Sequence, residues 1–238
     1  MVFFLPYILP NMRPQVIKEY EIKEILQAVQ PYTMTSPERI VSLVDAVQHV
    51  IRHDIPGDIV ECGVWKGGSM MAVAKTLQHF GAQRNLHLYD TFDGMTEPEA
   101  VDADWMGQKA KALMDISEKD NSEIWGYCPL EEVRRNLEST GYDGKLISYI
   151  KGAVESTIPD AIPETISLLR LDTDWYASTL HELEHLYPRL SVGGLLIIDD
   201  YGHWQGARKA VDEYLERTQT KLFLSRIDYT ARIGVKTA

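Results

Sequence analysis

Apolar positions along the chain follow two rhythms in turn. Across residues 37–52, Ile40, Leu43, Val44, Val47 and Ile51 recur at helical spacing, and Ser36-Pro37 places an N-cap serine and a first-turn proline ahead of them. A second helical pattern covers residues 13–30. From Gly57 onward short apolar runs take over, at residues 58–62, 85–90, 145–151, 166–171 and 195–199, and each reads as a strand. The run LLIID at 195–199 has no polar alternation, as befits a parallel strand covered on both faces. Residues 70–80, 130–140, the stretch after Asp174 and residues 206–217 read as intervening helices, and residues 222–225 and 232–236 as a closing pair of strands. Seven strands interleaved with helices predict an α/β fold, Rossmann-like, with a mostly parallel sheet and helices on both faces. Residues 1–56 form an N-terminal helical extension and residues 57–238 the main domain, with an acidic, weakly patterned insertion at about 93–125 as a candidate lid, in which Glu97, Glu99, Asp102 and Asp104 read as a solvated acidic loop rather than as groups closing over a site.

Composition narrows the function. Lys and Arg total 24 against 35 Asp and Glu, a net charge of −11, with no basic run. That argues against a nucleic-acid binder, which must neutralise phosphates, and against attachment to an anionic membrane. The two cysteines, Cys62 and Cys128, make no disulfide framework, and Cys62 in an apolar strand reads as a reduced, buried thiol. The apolar start, residues 2–9, lacks the basic region and cleavage site of a signal peptide, so a cytoplasmic protein is expected. That start is expected to pack on its own chain or on a second subunit, and a homodimer is the assembly read from it.

Candidate chemistry gathers at strand ends. Asp172 and Asp174 follow one apolar strand, and Asp199 and Asp200 end the next. Side chains at i and i+2 of a strand share a face, so Asp172 and Asp174 can aim at one point. In open parallel sheets ligands sit beyond the carboxyl ends of strands. Four acids there repel one another unless a cation or a shared proton intervenes. Hard oxygen donors without Cys or His suit Mg²⁺ and disfavour zinc. Each acid could instead cap a turn or pair with a base. Of the nearby histidines, His203 is better placed than His181 and His185, which share a helix face read as solvent-facing.

A second constellation lies at the first strand. Glu61-Cys62-Gly63-Val64-Trp65-Lys66-Gly67-Gly68-Ser69 spaces its glycines as G-x-x-x-G-G rather than G-x-G-x-x-G, which favours a cofactor without a pyrophosphate. Asp90 ends the next strand, where an acid can take two ribose hydroxyls or cap the following turn. Together the glycines and Asp90 favour an adenosine-bearing cofactor.

With these motifs assembled, the chain resembles the macrocin O-methyltransferase family, in DIVECGVWKGGS, LYDTFDGMTEP, PLEEVRRNLESTGY, LLRLDTDWYASTLHELEHLYPRL and GGLLIIDDYGHWQGARKAVDEYL. The resemblance implies a class I methyltransferase fold and an S-adenosylmethionine- and Mg²⁺-dependent enzyme that methylates a sugar hydroxyl of a natural product. It implies cofactor contacts at Thr35, Glu61, Gly63, Ser69 and Asp90, metal ligands at Asp172, Asp199 and Asp200, and a general base at Asp174. Alternatives are a catechol-type enzyme acting on a phenolic acceptor, and a methyltransferase fold that binds adenosyl ligands without catalysis.

Overall fold

The short apolar runs become the centre of one sheet. The computed structural model of the chain describes residues 16–237. In it β1 (Asp58–Cys62), β2 (Leu86–Asp90), β3 (Ile147–Lys151), β4 (Ile166–Leu171) and β5 (Leu190–Ile198) pair in parallel. A two-residue β6 (Ser225–Arg226) and β7 (Arg232–Val235) complete the sheet antiparallel. The order is β3-β2-β1-β4-β5-β7-β6, so the winding reverses between β1 and β4. Ligands bind at such a reversal, outside the carboxyl ends of the strands.

Both faces of the sheet are covered, as the unbroken apolar runs require. On one face Ile59, Leu86, Leu88, Leu168, Leu195 and Ile197 pack with α1 (Glu19–Val29), α2 (Pro37–Arg52) and α3 (Gly68–His79). On the other, Val60, Cys62, Leu169, Leu171, Leu196 and Ile198 pack with α7 (Tyr176–Leu186) and α8 (Gln205–Thr218). LLIID thus sends alternate residues to opposite cores. The N-terminal helices share the first core with α3, and Ser36 caps α2 by accepting from the Arg39 N–H. β5 starts five residues earlier than its apolar run, because Gly193 (φ +83°) and Gly194 lie inside the strand and pair with Lys236. The shorter helices are α4 (Ala110–Asp115), α5 (Leu130–Glu138) and α6 (Val154–Thr157).

The insertion differs from a solvated acidic loop. Asp102 is wholly buried and Asp104 is 7% exposed. One Asp102 oxygen accepts from the Glu99 N–H (2.7 Å) and the other from the Tyr176 N–H (2.9 Å) at the start of α7. Helix starts leave N–H groups without partners, and an acid from the insertion answers one of them here. Asp104 accepts from the N–H groups of Met106 and Gln108, both at 2.8 Å, closing a tight turn. Ala110 and Met114 of the insertion pack with Trp175, Trp204 and Ala207 in a third small core.

Among the described residues no helix is long and apolar enough to cross a membrane. The apolar start, and the subunit contact read from it, fall outside the described residues.

The turn after β1 touches the turn after β4. Gly63 has φ +82°, and a Cβ there would lie 1.9 Å from the Asp172 carbonyl oxygen. Gly63→Ala is therefore expected to cost on the order of 3 kcal/mol of stability. Gly144→Ala, where a Cβ meets nothing within 4 Å, should be close to neutral. Denaturant midpoints at constant slope measure both.

Candidate functional site

β4 carries an arginine inside its apolar run. A guanidinium cannot be left buried without acids around it, and Arg170, 3% exposed, gathers three. Its Nη1 donates to Glu61 Oε1 (2.7 Å) and Asp172 Oδ2 (2.6 Å); its Nη2 donates to Asp199 Oδ1 (2.6 Å) and Thr35 Oγ1 (3.1 Å). The second Asp199 oxygen pairs with Arg39 of α2, whose Nε reaches Asp228 at 2.9 Å. Ser36 donates to the same Asp228 oxygen at 3.0 Å. Neither arginine was singled out from the sequence. The signal was an Arg in ISLLRL, a run too apolar to reach solvent.

The acids meet differently from the strand-alternation expectation. β4 ends at Leu171, so Asp172 and Asp174 lie in a turn rather than on one strand face. That turn is held by the Asp172 N–H on the Cys62 carbonyl (2.8 Å) and the Trp175 N–H on the Thr173 carbonyl (2.7 Å), with Asp174 at φ +66°. The turn still brings Asp172 and Asp174 together with Asp200: one oxygen from each lies within 4.8 Å of the others. Asp199 stands outside this trio, both of its oxygens held by guanidinium groups.

Burial and mutual repulsion push the Asp172, Asp174 and Asp200 carboxyls above the usual range, although Arg170 pulls Asp172 the other way. Arg170 touches only Asp172 of the three. Three convergent carboxylates with no Cys or His fit a hard, oxygen-seeking cation of the Mg²⁺ type.

These groups line a cleft of about 340 Å³. Thr35 and Ser69 border it with Val64, Trp65 and Gly68, while Leu113 and Ile124 of the insertion form an apolar wall with Trp204 and Tyr229. His203 lines the cleft, its Nδ1 3.2 Å from the Tyr229 hydroxyl. His181 and His185 stack on each other with ring centroids 4.2 Å apart and bond to backbone carbonyls outside the cleft.

A smaller cavity of about 50 Å³ opens beside it, lined by Gly63, Asp90, Thr91, Gly94, Gly152 and Val154. Asp90 Oδ2 accepts from the N–H groups of Val64 (2.7 Å) and Trp65 (3.1 Å), and Oδ1 from Phe92 (2.7 Å), so it fastens the glycine turn and its own turn together. Asp172 borders both cavities. Glu61 lies beneath the site, 1% exposed, and its Oε2 has no hydrogen-bond partner among the described residues. Burial pushes its carboxyl up to about 7.

Known proteins resemble this chain over most of its length. The family model described as Macrocin-O-methyltransferase (TylF) matches residues 25–233. A demethyldecarbamoylnovobiocin O-methyltransferase of Streptomyces niveus is 34% identical over 184 residues, 77% of this chain and 67% of its own. The 8-demethyl-8-(2,3-dimethoxy-alpha-L-rhamnosyl)-tetracenomycin-C 4'-O-methyltransferase of Streptomyces olivaceus is 34% identical over 204 residues, covering 84% and 73%. Among solved structures, the O-methyltransferase NovP superposes with a TM-score of 0.76 at 30% identity, covering 87% of this chain and 83% of that one. The calicheamicin methyltransferase CalS11, at 17% identity and a TM-score of 0.63 over 91% of each chain, shares the fold.

The raised Glu61 carboxyl predicts a pH dependence. An acid whose folded pKa lies above its unfolded value binds more protons when folded, so its contribution is lost as pH rises through the folded value. In chelator-treated protein, melting temperature should decline between about pH 4.5 and about pH 7, and less steeply in Glu61→Gln. Equal slopes in the two proteins would remove Glu61 as the cause.

Proposed function

Because the chain belongs to the macrocin O-methyltransferase family it is an O-methyltransferase, and we propose that it moves a methyl group from S-adenosylmethionine to a sugar hydroxyl of a glycosylated natural product or related small molecule. The observation that carries this reading is Asp172, which borders both the glycine-lined cavity and the acid-lined cleft. A cofactor in one and an acceptor in the other would meet at that residue. The Streptomyces olivaceus relative is named for a rhamnosyl-bearing acceptor, which supports a sugar as the methylated group.

The residues divide the work as follows. Gly63 lets backbone approach the cofactor, and Asp90 is the acid for its ribose hydroxyls. The unpartnered Oε2 of Glu61 suits the ammonium of the cofactor's methionine part; the Thr35 and Ser69 hydroxyls border the acid-lined cleft, into which that part would reach. The cofactor supplies a methyl group already activated on a sulfonium, and Mg²⁺ supplies a Lewis acid that lowers the pKa of an aliphatic hydroxyl. Asp172 and Asp200 would hold the cation. Asp199, expected as a third ligand, has both oxygens on guanidinium groups, and Arg39 must release one for it to join.

Asp174 is the general base. Burial, and after it the Asp199 and Asp102 charges, pushes its carboxyl up to about 6, and a base titrating nearer neutrality takes a proton more readily from the acceptor. Asp200 and the Trp204 indole face it and fix its orientation. Leu113 and Ile124 shield the acceptor side from water. Alignment of hydroxyl and methyl group supplies much of the remaining acceleration.

Calorimetry with S-adenosylmethionine, with and without Mg²⁺, followed by a panel of glycosides and catechols, tests the reading. Glycosides are expected to turn over; turnover of catechols alone would transfer the activity to phenolic acceptors, and binding without any turnover would leave an adenosyl-ligand-binding protein. Asp174→Asn should retain Mg²⁺ binding and lose about 10²–10⁴-fold in kcat. An unchanged kcat would move the base elsewhere, His203 being next in the cleft. Asp200→Asn should lose Mg²⁺ dependence while S-adenosylmethionine affinity stays near that of the wild type.

A further inference from the structure

Glu182 is a buried acid with no part in the chemistry above. It lies on the inner face of α7 beside Leu183 and Leu186 and is wholly buried. A carboxyl among leucines is costly unless it is bonded. Its Oε1 accepts from the Thr173 hydroxyl at 2.9 Å. Its Oε2 has no hydrogen-bond partner among the described residues, and the Cys62 thiol lies against the carboxyl.

Those two neighbours lie at the two turns that build the site, Thr173 within one and Cys62 just before the other. Thr173 stands between Asp172 and Asp174. Cys62 ends β1 and precedes Gly63, the glycine that touches the Asp172 carbonyl. The Asp172–Asp174 turn is strained, with Asp174 in the left-handed region, which costs about 1–3 kcal/mol and persists only where the surroundings over-determine it. The Thr173 carbonyl is held by the Trp175 N–H (2.7 Å) and the Ser178 hydroxyl (3.3 Å). Its hydroxyl is held by Glu182 alone among the described residues.

We propose that Glu182 is a positioning residue: its carboxyl, set behind both turns, clamps Thr173 against the end of β1 and so holds the site acids at a set distance from the cofactor turn. The proposal rests on the methyltransferase reading of that site. A glutamine can reproduce the arrangement, since its carbonyl accepts from Thr173 while its amide faces sulfur. Methionine, of similar length, cannot. Burial drives the Glu182 carboxyl well above its usual range.

Hydrogen exchange on the ligand-free chain tests the clamp directly. Glu182→Met and Thr173→Val should each speed exchange of the amides at 63–65 and 172–175 by about tenfold, and the double variant no further, because both remove one interaction. Glu182→Gln should stay near the wild type. Mg²⁺ affinity should fall about tenfold in Glu182→Met and Thr173→Val, as loss of a ligand's supporting contact does. S-adenosylhomocysteine affinity should change little. Exchange raised evenly through the core, additive effects in the double variant, or Glu182→Gln as damaging as Glu182→Met would overturn the proposal. Thr173→Val probes the same bond should Glu182→Met fail to fold. A wild type that binds neither S-adenosylhomocysteine nor Mg²⁺ would refute the methyltransferase reading, while the exchange comparison would still judge the clamp.

Discussion

One guanidinium lies where three strand ends converge. Arg170 reaches Glu61 near the end of β1, Asp199 beyond β5, Asp172 in the turn after its own strand and Thr35 ahead of α2. Without it, Glu61 and Asp172 would meet in a buried space with no guanidinium partner among the described residues, and Asp199 would keep Arg39 alone. Buried ion pairs add little net stability compared with a well-packed apolar core, but removing one partner leaves the others uncompensated, typically at about 3–5 kcal/mol. The planar fork of an arginine serves several carboxylates from fixed directions, which a lysine ammonium cannot. Arg170 thereby sets the direction of each acid as well as its charge.

The remaining site follows from the acids that Arg170 does not reach. Asp174 and Asp200 lie beyond its contacts, and burial raises the proton affinity of both. The site is thus neutralised from below and left acidic on the side that faces the cleft. Arg39 extends the same logic outward. By pairing with Asp199 and Asp228 it ties α2 to the end of β5 and to the bend before β7. The N-terminal helices are therefore fastened to the site by charge as well as through their shared core.

Local rules reached much of this from the sequence. Apolar runs located the parallel strands, because a strand covered on both faces leaves no room for alternation. Ser36-Pro37 located the start of α2, because capping is a local event. Asp172, Asp174 and Asp200 were foreseen together for a different geometric reason, since a turn and not a strand face unites them. What stayed hidden depends on partners far apart in the chain: Arg39 and Asp199 are separated by 160 residues. Asp199 looked like a free ligand because nothing near it in sequence reveals two guanidinium groups. Asp102 and Asp104 looked solvated because the helix starts that receive Asp102, and the turn that Asp104 closes, emerge only with the fold.

Asp102 has a further bearing on how such a chain changes its acceptor. The insertion supplies the apolar wall of the cleft, yet it is rooted at Tyr176 and packed against Gly206, where a Cβ would fall 1.8 Å from an Asp102 oxygen. Leu113 and Ile124 can vary without touching that joint, whereas Asp102 and Gly206 must vary as a pair. The joint extends beyond that pair, since the Gln205 N–H donates to the Ala103 carbonyl (2.8 Å) and the Trp175 indole to the Thr96 carbonyl (3.0 Å). A wall altered at Leu113 or Ile124 alone spares all of these contacts, and with them the strand ends and their acids.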